Sequence, residues 1–152
     1  MQVFKFSVFF LFISIQAQAS LFEGTNLESL SDFSTVPMND LLGQRSLVVV
    51  FSKDCAHCKS HFKSLHQCYK GESNIIPISV DNDKKKVKKY WRSAKLPFPA
   101  WIGSKSFNKK FSALKKNLPY SYLYYGKKFY PIGAGSISCE RIAQLSILGS
   151  KA

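Results

Sequence analysis

Ser46-Leu47-Val48-Val49-Val50-Phe51-Ser52-Lys53-Asp54-Cys55-Ala56-His57-Cys58 is the stretch on which the reading of the fold turns. Residues 46–51 form a nearly unbroken apolar run of strand length, which suits a central strand buried on both faces. The chain then passes two cysteines spaced C-x-x-C. From Cys58 onward Phe62, Leu65 and Tyr69 recur at helical spacing, with Lys59, Ser60, Lys63, Ser64 and Gln67 between them, and Gly71 is placed to end the helix. The pattern predicts a strand, a reactive turn and a helix.

A cysteine pair at such a junction has a specific chemistry. The first sulfur sits at a helix N-terminus, where unpaired backbone N–H groups and the helix dipole stabilise a thiolate. Cys55 is therefore the expected nucleophile of thiol-disulfide exchange. Cys58, one turn on and more buried, is expected to resolve the mixed disulfide. Charged His57 favours the thiolate, whereas the carboxylate of Asp54, next to Cys55, opposes it.

Working outward, the remaining pieces repeat a strand-then-helix scheme, the pattern of an α/β fold. Residues 75–80 read as a second strand, followed by Asp81, Asn82 and Asp83 as capping candidates. Val87, Tyr90, Trp91 and Ala94 then form a helical apolar stripe. Lys84, Lys85, Lys86, Lys88 and Lys89 fall mostly off the stripe and read as a solvated face. Pro97 and Pro99 interrupt the helix, and a short strand at 100–102 follows. Residues 106–116 read as a basic helix with Phe107, Phe111 and Leu114 on one side, ended by Asn117-Leu118-Pro119. The runs at 120–125 and 128–132, joined by Gly126-Lys127, read as a β-hairpin, and Gly133-Ala134-Gly135 as a flexible join. Ser136 or Ser138 caps a closing helix with Ile142, Leu145 and Leu148 as its buried stripe.

Residues 1–19 read as a secretory signal. Lys5 is their only charge, residues 6–15 are almost wholly apolar, and Ala17-Gln18-Ala19 supplies a cleavage pattern before Ser20. The apolar run is shorter than the roughly 20 residues that span a bilayer, so cleavage is expected over anchoring. Residues 20–152, with 45% hydrophobic content in the whole chain, suit one compact domain. The formal charge is +13, and only Lys5 of it leaves with the signal. Export excludes nucleic acid as the target of that charge, leaving acidic proteins, an anionic membrane surface or simple solvation.

These residues resemble the thioredoxin superfamily, and more closely its exported TlpA/ResA-like branch. Residues 38–44 look like the turn before the core strand, 47–58 like the strand and active-site motif, and Ser79-Val80-Asp81 like the end of the next strand. Phe98-Pro99 is similar to the family's insert, and Leu118-Pro119-Tyr120 with Gly126-Lys127 to its cis-proline loop and hairpin. The resemblance implies a thioredoxin-like α/β fold, a central mixed β-sheet flanked by helices, in residues 20–152. It also implies a cis Pro119 lying against the cysteine pair, with Leu118 offering backbone groups to a bound peptide. No cofactor is needed. The implied partners are exported protein thiols and disulfides and a membrane redox protein, and the chain is expected to act as a monomer.

Three positions depart from the family pattern. Asp54 stands where a tryptophan is usual, Val49 where thioredoxins carry a buried acid, and Ala56-His57 resembles the dipeptides of oxidases and isomerases. Fold details favour a reductant, the dipeptide an oxidant. A rival reading makes Cys55, Cys58, His57 and His61 a zinc or copper site. Another makes the pair a static disulfide in a binding module. His61 and His66 are given no role in exchange. Cys68 and Cys139 are expected to be two buried thiols, because the fold sets Cys68 near the far end of its helix and Cys139 near the active-site edge; a second disulfide is the alternative.

Overall fold

The computed structural model describes residues 21–68 and 74–145. The expected signal at 1–19, and the helix positions assigned to Tyr69, Gly71 and Leu148, lie outside the described residues.

Seven strands form one mixed sheet: β1 (Asn26–Ser29), β2 (Thr35–Pro37), β3 (Arg45–Phe51), β4 (Ile75–Ser79), β5 (Trp101–Gly103), β6 (Tyr120–Tyr125) and β7 (Lys128–Ala134). Their spatial order is β2-β1-β5-β4-β3-β6-β7. β3, β4 and β5 run parallel, whereas β6, β7, β1 and β2 are added antiparallel. Strand β3 is interior, between β4 and β6, and Leu47, Val48, Val49, Val50 and Phe51 are all fully buried, as an apolar run with neighbours on both sides requires. The helices are α1 (Met38–Leu41), α2 (Ala56–Cys68), α3 (Lys84–Ala94), α4 (Lys105–Phe111) and α5 (Cys139–Gln144).

Two aromatic clusters fill the core. Phe51 meets Phe62 of α2 edge-on at 5.0 Å and Trp91 of α3 at 5.2 Å, and Trp91 packs on Phe98. Phe22 brings together Phe107 and Phe111 of α4, Tyr122 of β6 and Phe129 of β7. On α3, Val87 and Trp91 are buried while the lysines are largely exposed, as the stripe predicts.

Capping follows the short polar residues. Asp83 accepts from the Lys86 N–H at 3.1 Å, and Ser138 from the Arg141 N–H at 3.2 Å. Asp81 is not a cap. The segment expected as one helix over 106–116 divides into α4 and a 3₁₀ turn (Ser112–Asn117) with no buried residue. The narrower 3₁₀ geometry, with about 2 Å rise per residue, carries the chain to Leu118-Pro119. The expected glycine join is largely paired: Gly133 and Ala134 belong to β7, and the Gly135 N–H donates to the Pro119 carbonyl at 2.9 Å. Residues 26–37, for which the sequence offers no reading, form the β1–β2 hairpin, in which Leu27 is the fully buried side chain.

Cys68 and Cys139 are not free thiols. They form a disulfide, with Cα atoms 5.3 Å apart. The expectation failed because it placed the start of α5 where β7 ends. Instead residues 135–138 run along α2 before the helix begins, and the Ile137 N–H reaches the Nδ1 of His61 on the way. Five extended residues from Ala134 to Cys139 cover about 17 Å, and ten helical residues from Cys58 to Cys68 about 15 Å, so the reach is sufficient. Cys68 is buried and Cys139 exposed.

Candidate active site

The site begins at the C-terminal end of β3. The Val80 N–H donates to the Phe51 carbonyl at 3.0 Å, so β4 still guides the chain as it leaves the sheet. Asp81 then holds the next two residues. Its Oδ1 accepts from the Ser52 hydroxyl at 2.9 Å, and its Oδ2 from the Lys53 N–H at 2.8 Å and the buried Ser79 hydroxyl at 2.8 Å. Ser52 Oγ also accepts from the Asp54 N–H at 3.2 Å, and the Cys55 N–H closes the turn onto the Ser52 carbonyl at 3.2 Å. A carboxylate satisfied by several donors is a rigid anchor for a loop. Sequence reasoning treated Asp81 as a capping candidate and missed Ser52. The one available signal was position, an acid directly after a strand that ends at the same sheet edge as the cysteine loop.

This turn delivers Cys55 to the N-terminus of α2. Cys55 and Cys58 are disulfide-bonded, with Cα atoms 5.4 Å apart. Cys58 is fully buried and Cys55 half-buried. The Cys58 N–H donates to both Cys55 Sγ and the Cys55 carbonyl, each at 3.2 Å, so an amide of the first helical turn faces the sulfur. The opposite side of that sulfur faces Leu118, whose carbonyl oxygen lies 3.3 Å from it. The Leu118-Pro119 peptide is cis, and both residues are buried. The fold thus brings Leu118, Pro119, Cys55 and Cys58 together.

Asp54 precedes the pair and His57 lies between its cysteines, and both are exposed. Asp54 forms an ion pair with Lys53, whose pKa is raised by that carboxylate. Val49 is buried, opposite Pro77 of β4 and Ser121 of β6.

The residues of the metal reading are not assembled. His57 faces solvent, whereas His61 is fully buried with Nδ1 engaged by Ile137. Burial lowers the His61 pKa to about 4, so the ring is neutral at pH 7. Among the described residues no group of three or more His, Cys, Asp or Glu side chains is placed to hold a metal ion, and no helix is long and apolar enough to cross a membrane.

A seven-stranded mixed sheet with a C-x-x-C disulfide at the β3–α2 turn and a cis-proline peptide beside it defines a thiol:disulfide oxidoreductase of the thioredoxin superfamily. The sequence profile of the AhpC/TSA family matches residues 15–130, and the chain belongs to that family. No curated protein matches the sequence. Among solved structures it is similar to the thioredoxin domain of a Bacteroides vulgatus thiol-disulfide oxidoreductase, with 18% identity, a TM-score of 0.65, and 86% of this chain and 96% of that one covered. A thioredoxin-related protein from Neisseria meningitidis serogroup B has 15% identity and a TM-score of 0.64, over 78% of this chain and 94% of the other. A secreted Mycobacterium tuberculosis disulfide oxidoreductase homologous to E. coli DsbE has 13% identity and a TM-score of 0.61, over 79% and 92%. At these identities the likeness is one of fold.

Proposed function

We propose that this chain is an exported thiol:disulfide oxidoreductase that reduces disulfides of exported proteins through Cys55 and Cys58. The observation that carries the reading is the Cys55–Cys58 disulfide at the N-terminus of α2, with the Leu118 carbonyl against the outer sulfur.

In the reducing direction the Cys55 thiolate attacks one sulfur of a substrate disulfide. The bond between the two substrate sulfurs breaks, a Cys55–substrate disulfide forms, and the displaced sulfur leaves as a thiolate that takes a proton from solvent. Cys58, having lost its own proton, then attacks Cys55. The second substrate thiolate is released, and the enzyme is left with the Cys55–Cys58 disulfide, two electrons poorer. Pro119 and the backbone of Leu118 hold the substrate segment beside the sulfur during both steps.

Opposing influences act on Cys55. The helix terminus, the Cys58 N–H and a charged His57 favour the thiolate and hence the reduced enzyme. The Leu118 carbonyl favours a protonated thiol that can donate to it, and Asp54 adds a negative charge nearby. These last two raise the cost of the thiolate and support the reducing direction.

Export rests on the signal-like residues 1–19, on cleavage before Ser20, and on the secreted nature of structural neighbours such as the M. tuberculosis protein. A membrane redox protein would restore the reduced pair, and the chain would act as a monomer without a cofactor.

The test is a redox titration of residues 20–152 against glutathione, following Cys55 by alkylation. A potential near about −270 mV is expected, and one near about −120 mV would reverse the direction. Cys58→Ser is expected to accumulate mixed disulfides with exported proteins and Cys55→Ser none. If neither variant traps anything, the pair is a static disulfide and the exchange reading is withdrawn.

A further inference from the structure

At the sheet edge that also carries the disulfide, where β3, β4 and β5 end, lies a concavity of about 350 Å³ lined by Val80, Asn82, Lys105, Asn108, Lys109, Ser112 and Lys115. Three ammonium groups and no carboxylate line it. Among the described residues Lys105, Lys109 and Lys115 take part in no ion pair, whereas Lys53, Lys84 and Lys86 each have an acidic partner. The neighbouring, smaller hollow shares Asn82, Lys105 and Asn108 with this one and adds Glu28, Asp81 and Lys84, so of the three lysines Lys105 alone also lines a hollow that holds carboxylates.

The floor of the larger hollow is fixed. The Asn108 side chain is nearly buried, and its amide donates to Asn82 Oδ1 at 3.0 Å. The walls are the two segments that frame Cys55. Asn82 follows Asp81, whose carboxylate holds Ser52 and Lys53. Lys115 is three residues before Leu118, hence within about 10 Å of it along the chain, and the Leu118 carbonyl touches Cys55 Sγ.

We propose that this concavity docks an acidic segment of the protein whose cysteine exchanges with Cys55. Carboxylates of that segment sit among Lys105, Lys109 and Lys115 while a cysteine a few residues away lies at Leu118-Pro119. The proposal rests on the exchange reading of Cys55 and adds the substrate class: thiol or disulfide segments flanked by Asp or Glu. A formal charge of +13 attracts any anion diffusely; the unpaired triad at the sheet edge of the cysteine pair gives the attraction an address.

The experiment uses residues 20–152 and two synthetic peptides, each carrying one cysteine as its glutathione mixed disulfide, flanked either by Asp/Glu or by Asn/Gln. Serine-for-cysteine versions are used for binding by fluorescence anisotropy. At low ionic strength the acidic peptide is expected to bind and to exchange roughly tenfold better than the neutral one, with the advantage shrinking in salt. That ratio is expected to fall towards one in the Lys105→Gln/Lys109→Gln/Lys115→Gln variant, and to persist in Lys63→Gln/Lys85→Gln/Lys89→Gln, which removes the same charge from α2 and α3.

Equal rates for the two peptides in the wild type overturn the proposal. So does an equal loss in the two variants, which would mean a diffuse field. A third overturning result is a Lys105/Lys109/Lys115 variant that loses binding to phosphatidylserine vesicles but keeps peptide discrimination. Binding of the acidic serine peptide that depends on those three lysines, with no exchange of either cysteine peptide, would sustain the docking site and sink the exchange reading.

Discussion

Cys55 works through its neighbours, and His61 shows how a residue outside the exchange can still govern the molecule. His61 sits one turn beyond Cys58, buried, with Nδ1 accepting from the Ile137 N–H and Nε2 without a partner. Its pKa in the folded protein is lowered to about 4 from an ordinary value of 6.5. Above pH 6.5 it is neutral in both folded and unfolded chains. Between pH 6.5 and 4 the unfolded chain takes up a proton that the folded chain refuses, so stability falls as the pH falls, by about 3 kcal/mol when the window is crossed. Urea denaturation from pH 7 to 4 should show this loss, and His61→Gln should flatten it. A slope unchanged in His61→Gln would assign the loss to other groups. Asp81 acts through position. Asp81→Ala should leave the Ser52 hydroxyl and Lys53 N–H without their acceptor, cost about 1–3 kcal/mol, and lower the rate of exchange at Cys55 in a peptide assay. Full activity in that variant would show that the loop holds itself.

At the scale of elements, α2 is fastened at both ends. Its N-terminus carries the Cys55–Cys58 pair, and Cys68 at the other end is bridged to Cys139 at the start of α5. The bridge closes a long loop, its cysteines standing 71 positions apart in sequence, and such a tie contributes about 2–4 kcal/mol, largely by restricting the unfolded chain. Cys68→Ser/Cys139→Ser should therefore lower the unfolding free energy measured by denaturation by that amount and leave the Cys55 exchange rate within about twofold. A large fall in exchange with little change in stability would instead mean that the second bridge takes part in electron transfer. Strand β5 meets α4 through Gly103, where a Cβ would lie 2.2 Å from Phe107 Cδ1 and 2.6 Å from Asn108 Oδ1. A glycine is required there by close approach.

For the whole molecule, Phe22 decides how the N-terminal segment joins the sheet. It stacks on Phe129 at 4.2 Å and touches Phe107, Phe111 and Tyr122, so one side chain ties the chain start to α4, β6 and β7. Phe22→Ala should cost about 3–5 kcal/mol in chemical denaturation, and a cost below about 1 kcal/mol would show that the cluster closes without it. The order of elements from β3 to β7 was legible in the sequence because apolar runs and helical stripes mark most of them, and the three-residue β5 is marked by the Pro97 and Pro99 break before it. Strands β1 and β2 were not, since four and three residues with one fully buried side chain between them are too short to carry a pattern. The candidate site was legible from chemistry and spacing at Cys55 and Cys58, and through the family resemblance at Leu118 and Pro119. It was not legible at Ser52 and Asp81, which meet only because β3 and β4 end side by side. By itself the sequence determined the alternation of strands and helices and the C-x-x-C turn at a helix start, which follow from local period and spacing, while the proline loop was legible through the family resemblance. Only the tertiary structure decided that Cys68 is bridged to Cys139, that His61 is buried against Ile137, and that three lysines surround a hollow at the sheet edge that carries the cysteine pair. Each of these depends on the path of a connecting segment relative to distant elements, and no local pattern in the chain encodes that path.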